Sequence, residues 1–314
     1  MLIFLLLVVV WLIAPAGAAS AADSPKTNPT NLDGVLAASG LGDWRLLDPE
    51  NTLYLELASG RVVIELAPAF APKHVANVKA LVREHFFDGL SVIRAQDNYV
   101  VQWGDADSEK PGLARKIRDA QRTLPAEFDR PLDPKAPFTP LPDGDVYAPE
   151  VGFCEGFPAA RDTKTGRMWL VHCYGMVGSA RDNAADSGGG TELFVVIGQA
   201  PRHLDRNDTL LGRVVQGVDL LSTLPRGTGP RGFYEKAEQR VPIKAIRVAA
   251  DVPAVERAAL QVMRTDTRAF QQVIESRRNR SEEWFHYRAG RVELCNVPIP
   301  VRPSPSQPES TNRK

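Results

Sequence analysis

The residue most able to do chemistry is an arginine set in apolar sequence. Arg94 lies in Leu90–Asp105, LSVIRAQDNYVVQWGD, among Val92, Ile93, Tyr99, Val100 and Val101. A guanidinium keeps its proton and carries a rigid fork of donors, so placing it there is costly without a partner. Gln102 is the nearest candidate partner; an arginine snorkelling from a strand edge to water is the other reading. The familiar hydrolytic arrangements are missing, since neither GxSxG nor HExxH occurs and the histidines are scattered. Asp105 and Asp107 read as turn residues. The Gly178–Thr191 run, GSARDNAADSGGGT, lacks GxxxxGK[ST] and GxGxxG and precedes a strand, so it reads as a loop letting backbone approach a bound chain, not as a nucleotide cradle. No metal or cofactor is expected.

The elements that must position these residues follow from periodicity. Alternation in Thr52–Leu57 and Arg61–Leu66 across Ala58-Ser59-Gly60 predicts an antiparallel hairpin. Val75, Val78, Leu81 and Val82 predict an amphipathic helix from His74 to about His85, with both histidines at its surface or boundary. Strands are expected at Met168–Tyr174, Leu193–Ile197, Leu210–Val215 and Val241–Ala249, and a short helix at Val218–Leu224. Prolines crowd residues 110–166, which predicts an ordered surface insertion without long strands or helices. Ala254–Arg280 reads as helical, ending in the basic run Arg277-Arg278-Asn279-Arg280, and Arg291–Val297 as a strand.

The 314 residues carry 38 basic and 38 acidic side chains, so no global charge favours nucleic acid or an anionic surface as partner. The apolar run Leu2–Ile13, then Pro15 and Ala16-Gly17-Ala18-Ala19, reads as a secretory signal peptide, with an uncleaved anchor as the alternative because basic residues ahead of it are missing. Three cysteines without CxxC spacing suggest neither a zinc site nor a dense disulfide framework; Cys154 joined to Cys173, or three separate thiols, are the open readings. The expected organisation is a signal peptide at 1–22, a flexible lead-in at 23–45, a main domain at 46–250, a helical extension at 251–301 and a disordered tail at 302–314.

The order of elements (hairpin, Pro-initiated helix, Phe86-Phe87-Asp88-Gly89, the arginine strand ending Gln102-x-Gly104-Asp105, glycine-rich loop, Leu193–Ile197, His203-Leu204-Asp205, Gly212-Arg213-Val214) resembles a cyclophilin. The resemblance runs from about Thr52 to Ala249. It implies a mostly β fold, a closed eight-stranded antiparallel barrel capped by two helices, and peptidyl-prolyl cis/trans isomerase activity. It places the catalytic arginine on Arg94, the pocket phenylalanine on Tyr99, the methionine on Val100 and the supporting glutamine on Gln102. The second wall of the proline pocket falls on Phe194 and Leu204, and the loop meeting the substrate backbone on Ala180 and Arg181. Glu192 stands where glutamine is usual, His203 where many members carry tryptophan, Asp208 where histidine is common and Trp103 where glycine is typical. Glu192 thereby brings a carboxylate toward Arg94, and Trp103 is expected to alter the groove. The implied protein is an exported, periplasmic or secreted bacterial isomerase acting on proline-containing segments of client proteins, with no nucleic acid and no stable membrane insertion after signal cleavage. The alternative is a weakly active proline-peptide-binding module serving as chaperone or scaffold.

Overall fold

The computed structural model describes residues 31–305; the signal-peptide reading falls outside them, as does most of the tail. The strands are β1 (Trp44–Leu46), β2 (Thr52–Leu57), β3 (Gly60–Leu66), β4 (Ser91–Ala95), β5 (Val100–Gly104), β6 (Arg130–Pro131), β7 (Phe138–Leu141), β8 (Glu150–Cys154), β9 (Phe157–Asp162), β10 (Arg167–Leu170), β11 (Met176–Ser179), β12 (Leu193–Val196), β13 (Thr209–Gln216), β14 (Val241–Val248), β15 (Leu260–Met263) and β16 (Val301–Pro303). Among the described residues four α-helices accompany them: α1 (Leu32–Ala38), α2 (Pro72–Arg83), α3 (Val218–Ser222) and α4 (Arg268–Arg278).

Eight strands close an antiparallel barrel in the order β11-β12-β5-β4-β14-β2-β3-β13, with β11 also pairing β13. The hairpin β2–β3 turns on two residues, Ala58-Ser59, because Leu57 pairs Gly60. Alternate residues of each strand fill the interior: Leu53, Leu55, Val62, Ile64, Val101, Trp103, Val195 and Leu211 share one buried cluster. Val75, Val78, Leu81 and Val82 of α2 and Leu221 of α3 join that cluster, so these two helices cap the barrel.

The α2 start departs from expectation in an instructive way. Pro72 occupies the first turn, but Ala71 offers no side-chain cap. Glu127 of the insertion supplies it, accepting from the Lys73 and His74 amides at 3.1 and 2.9 Å. The same carboxylate lies 2.8 Å from His74 Nδ1, and His74 Nε2 lies 3.1 Å from the Gly188 carbonyl. His74, expected at the surface or boundary, is instead buried, while His85 is exposed.

The proline-rich segment supplies four strands of a five-stranded sheet, ordered β6-β10-β9-β8-β7. Pro131 and Pro140 sit on its two edge strands and Pro158 near the start of β9, where a missing amide hydrogen disturbs the ladder least. The Met168–Tyr174 run contributes β10 to this sheet, and the barrel resumes only at Met176. Phe153 of β8 meets Phe270 of α4 edge to face at 4.8 Å, in a second core that also holds Val100, Phe194 and Leu210 from the outer barrel wall.

The flanks are more ordered than expected. Residues within the lead-in form α1 and β1, and β1 joins β15 and β16 in a three-stranded sheet. Tyr54 and Val63, on the outer barrel face, share a small buried cluster with Leu260 of β15. The Ala254–Arg280 helix is confined to α4, because Leu260 and Val262 are buried alternately in strand β15. Arg291–Val297 holds a short 3₁₀ turn, Leu294–Asn296, not a strand, and β16 occupies the expected start of the tail. Cys173 is bonded to Cys295 with Cα atoms 5.1 Å apart, leaving Cys154 buried and free; the pairing of Cys154 with Cys173 is thus incorrect. Among the described residues no helix is long and apolar enough to cross a membrane.

Candidate active site

Arg94 and Gln102 meet because β4 carries a register shift between Val92 and Arg94, which sets Arg94 directly across from Gln102 on β5. Arg94 Nη1 donates to Gln102 Oε1 at 3.2 Å, Nε donates to the Arg231 carbonyl at 2.7 Å, and Nη2 donates to Gln96 Oε1. The Tyr99 and Phe233 rings lie 5.4 and 5.3 Å from the guanidinium carbon. The guanidinium is therefore held from several directions while half-buried, and the partnered reading of Arg94 replaces the snorkelling one. Burial pulls its pKa down, yet an arginine stays charged at any physiological pH.

Behind this pair stands a second layer. Gln102, 6% exposed, donates from Nε2 to Glu192 Oε2 at 2.6 Å, and Ser108 Oγ lies 3.4 Å from Glu192 Oε1. A carboxylate only accepts, so Glu192 turns the Gln102 amide to present Oε1 to Arg94. Burial pushes the Glu192 pKa up and outweighs the bonds from Gln102 and Ser108. Gly104 makes room for this contact, since a Cβ there would stand 2.5 Å from Glu192 Cγ. Among the described residues no ion pair joins Glu192 to Arg94, so the carboxylate acts on the arginine only through Gln102.

The apolar wall is made by Phe194, Val100 and Tyr99, which share one cluster, with Phe194 5% and Val100 2% exposed. Gly178, opposite Phe194 on β11, leaves space for its ring; a Cβ there would lie 2.3 Å from Phe194 Cζ. The His172 imidazole stacks on Phe194 with centroids 6.2 Å apart and planes 9° apart. Asp205 fixes that imidazole, accepting from the His172 amide at 3.0 Å and lying 2.9 Å from Nδ1.

The remaining expected site residues are dispersed around this centre. Ala180 packs on the same cluster and donates its amide to the Glu192 carbonyl at 2.9 Å. Arg181 is drawn away to the 205–208 turn, donating to the Asn207 carbonyl at 2.8 Å and pairing with Asp208 at 3.5 Å. Leu204 is half-buried and His203 exposed on the 3₁₀ turn Arg202–Leu204. Trp103 points into the barrel and is fully buried, so it does not line the groove; residues 101 and 103 face inward where 100 and 102 face outward. Gln96, Ser108, His172, Phe233 and the Arg231 carbonyl were not anticipated. Their only sequence signals were a strand edge, a turn and a glycine loop. Among the described residues no group of three or more His, Cys, Asp or Glu could hold a metal.

The geometry is that of a fixed cation beside a small apolar wall. The family model for cyclophilin-type peptidyl-prolyl cis-trans isomerases matches residues 52–248. The chain belongs to the cyclophilin family. This cyclophilin is 32% identical over 190 residues to a probable peptidyl-prolyl cis-trans isomerase of Brucella suis, covering 58% of this chain and 74% of the relative. It is 24% identical over 216 residues to a Synechocystis peptidyl-prolyl cis-trans isomerase whose name places it in the thylakoid lumen, covering 62% of this chain and 52% of that one. Among solved structures, cyclophilin AquaCyp293 from Hirschia baltica superposes with a TM-score of 0.67 at 27% identity, covering 87% of this chain and 98% of its own. The structural likeness to AquaCyp293 thus reaches beyond the matched barrel into the flanking segments.

Proposed function

We propose that this cyclophilin accelerates rotation about X-Pro bonds in exported polypeptides, with Arg94 as the residue that lowers the barrier. That barrier is roughly 20 kcal/mol and arises from amide resonance. In the twisted transition state the prolyl nitrogen becomes pyramidal and its lone pair leaves the amide π system. A guanidinium donor aimed at that nitrogen is attracted more strongly there than in either planar ground state. Tyr99, Val100, Phe194 and Leu204 hold the proline ring while the flanking chain rotates, and Gln102 keeps the guanidinium in place. The main chain at Ala180 and Arg181 meets the substrate backbone, the Arg181 side chain being held by Asn207 and Asp208.

The observation that carries this reading is the triple anchoring of Arg94 by Gln102, Gln96 and the Arg231 carbonyl beside Tyr99. A charge already held costs little reorganisation when the amide twists. Export is supported by the leader-like sequence of residues 1–22 and by the Cys173–Cys295 bond, which suits an oxidising compartment. The lumenal relative from Synechocystis points the same way. Isomerisation of an X-Pro peptide, followed by exchange NMR, tests the proposal: Arg94→Ala should lose at least about a hundredfold in kcat/KM, equal to ~2.7 kcal/mol of transition-state stabilisation. Unchanged activity would overturn the mechanism. His203, exposed where many members carry tryptophan, favours a second reading, a groove that binds proline peptides with little turnover, which a strongly accelerated wild-type rate rejects.

A further inference from the structure

Beyond the proline wall, the insertion and the 3₁₀ turn line an open pocket of about 330 Å³. Its walls include Tyr147 and Pro149 from the insertion, Trp169 from β10, and His203 and Arg206 from the turn region. Its volume falls in the range that accepts a bulky side chain.

Buried ion pairs tie the two sides of this pocket together. Arg202, 5% exposed, grips Asp145 with two bonds of 2.6 and 3.0 Å and donates to Asp205 at 2.6 Å. Asp145 in turn accepts from the Tyr147 and Ala148 amides at 2.8 and 2.9 Å. The insertion loop carrying Tyr147 is thereby pinned to the turn carrying His203 and Leu204.

The charges around the cavity are already paired. Arg202 is taken up by Asp145 and Asp205, Arg206 pairs with Asp129 at 2.8 Å while lying 5.0 Å from the Trp169 ring, and Asp162 accepts from the Lys164 and Thr165 amides. Little uncompensated charge is left to select an ionic ligand. What remains is ring surface, with Tyr147 54% exposed and His203 exposed. Two routes connect this surface to the proline wall: His203 adjoins Leu204 in the chain, and Asp205 holds the His172 imidazole that stacks on Phe194.

We infer that this cavity is a second recognition pocket, taking a bulky aromatic side chain of the client close to the proline being isomerised. The inference rests on the isomerase reading and assigns it a sequence preference. A peptide whose proline sits on the Phe194 wall would place a neighbouring side chain over Tyr147 and His203, stacking ring on ring.

The test uses the full chain and a set of proline peptides in which tryptophan replaces alanine in turn at each of the two positions on either side. One position should raise kcat/KM about tenfold over the all-alanine peptide, through KM and not kcat. Tyr147→Ala should abolish that advantage while leaving turnover of the all-alanine peptide unchanged, and Tyr147→Phe should retain it. Equal turnover of all peptides, or an advantage that survives Tyr147→Ala, overturns the pocket. If no peptide is isomerised, the isomerase reading fails separately. The same peptides titrated by calorimetry then decide the pocket through their Kd values, with no tryptophan preference counting against it.

Discussion

Glu192→Gln is the substitution that bears most directly on how the site is held. Gln102 Nε2 donates to the Glu192 carboxylate at 2.6 Å, a charge-assisted bond between largely buried groups. Such bonds contribute about 1.5–3 kcal/mol, against about 1 kcal/mol for a neutral one. Direction matters as much as strength. A carboxylate can only accept, which forces the Gln102 carbonyl toward Arg94; a glutamine amide both accepts and donates and leaves the Gln102 amide free to turn over. With about 1.4 kcal/mol of orientation lost at the transition state, kcat should fall about tenfold with little change in KM. Acid should mimic the substitution. The Glu192 pKa is raised by burial, so the wild-type rate should decline as pH falls through a value above the ordinary glutamate range, whereas Glu192→Gln should lack that limb. Stability works in the opposite sense. A raised folded pKa means that the ionised carboxylate destabilises the fold at neutral pH and ceases to do so as pH falls. Glu192→Gln should therefore be no less stable than wild type at neutral pH, and lost activity cannot be assigned to unfolding. Exchange NMR of an X-Pro peptide from acid to neutral pH, with urea unfolding alongside, measures both. An unchanged kcat together with an intact acid limb in Glu192→Gln would refute the reasoning.

Glu127→Ala removes the cap of α2 and strands the buried His74 ring; a cap and a charge-assisted bond together set the expected loss at about 3 kcal/mol in urea unfolding. Burial works to raise the Glu127 pKa, but the bonds from His74 and Lys73 lower it overall, so its contribution is complete above the ordinary glutamate range and disappears as pH falls through the folded value. That acid-side loss should be absent from Glu127→Ala. Cys295→Ser opens the disulfide and should cost about 2–4 kcal/mol, with reductant doing the same to wild type and nothing to the variant. Cys154, whose thiol burial pushes up to about 11, should resist alkylation until the chain unfolds.

Much of the barrel was legible because its signals are local. A strand shows itself by alternation within six or seven residues and a hairpin by the turn between, so β2, β3, β12, β13 and β14 lie close to where the pattern predicted them. Arg94 and Gln102 were legible for a related reason: they sit on neighbouring strands joined by a short connection. The insertion was harder. Its prolines do break long elements, yet its four short strands still join β10 in a sheet when prolines are kept to the edges or a strand start. The C-terminal segment misled because Leu260 and Val262 fit a loose helical stripe as well as a strand. Partners from both ends of the chain decided for the strand, β1 on one side and β16 on the other.

By itself the sequence determined the order of elements, the hairpin that opens the barrel, the apolar face of α2 and the anomaly of a charged Arg94 in an apolar strand. Each follows from steric and solvation preferences acting over a few residues. Only the tertiary structure decided that Cys173 meets Cys295 across 122 residues and that Glu127 caps a helix more than fifty positions earlier. It also decided that the Arg231 carbonyl anchors Arg94, that His172 backs Phe194, and that Trp103 fills the barrel and not the groove. These contacts join segments whose local patterns place no constraint on one another. Their geometry comes from closing the barrel and packing the insertion against it, where each buried polar group must find whatever partner the fold brings within reach.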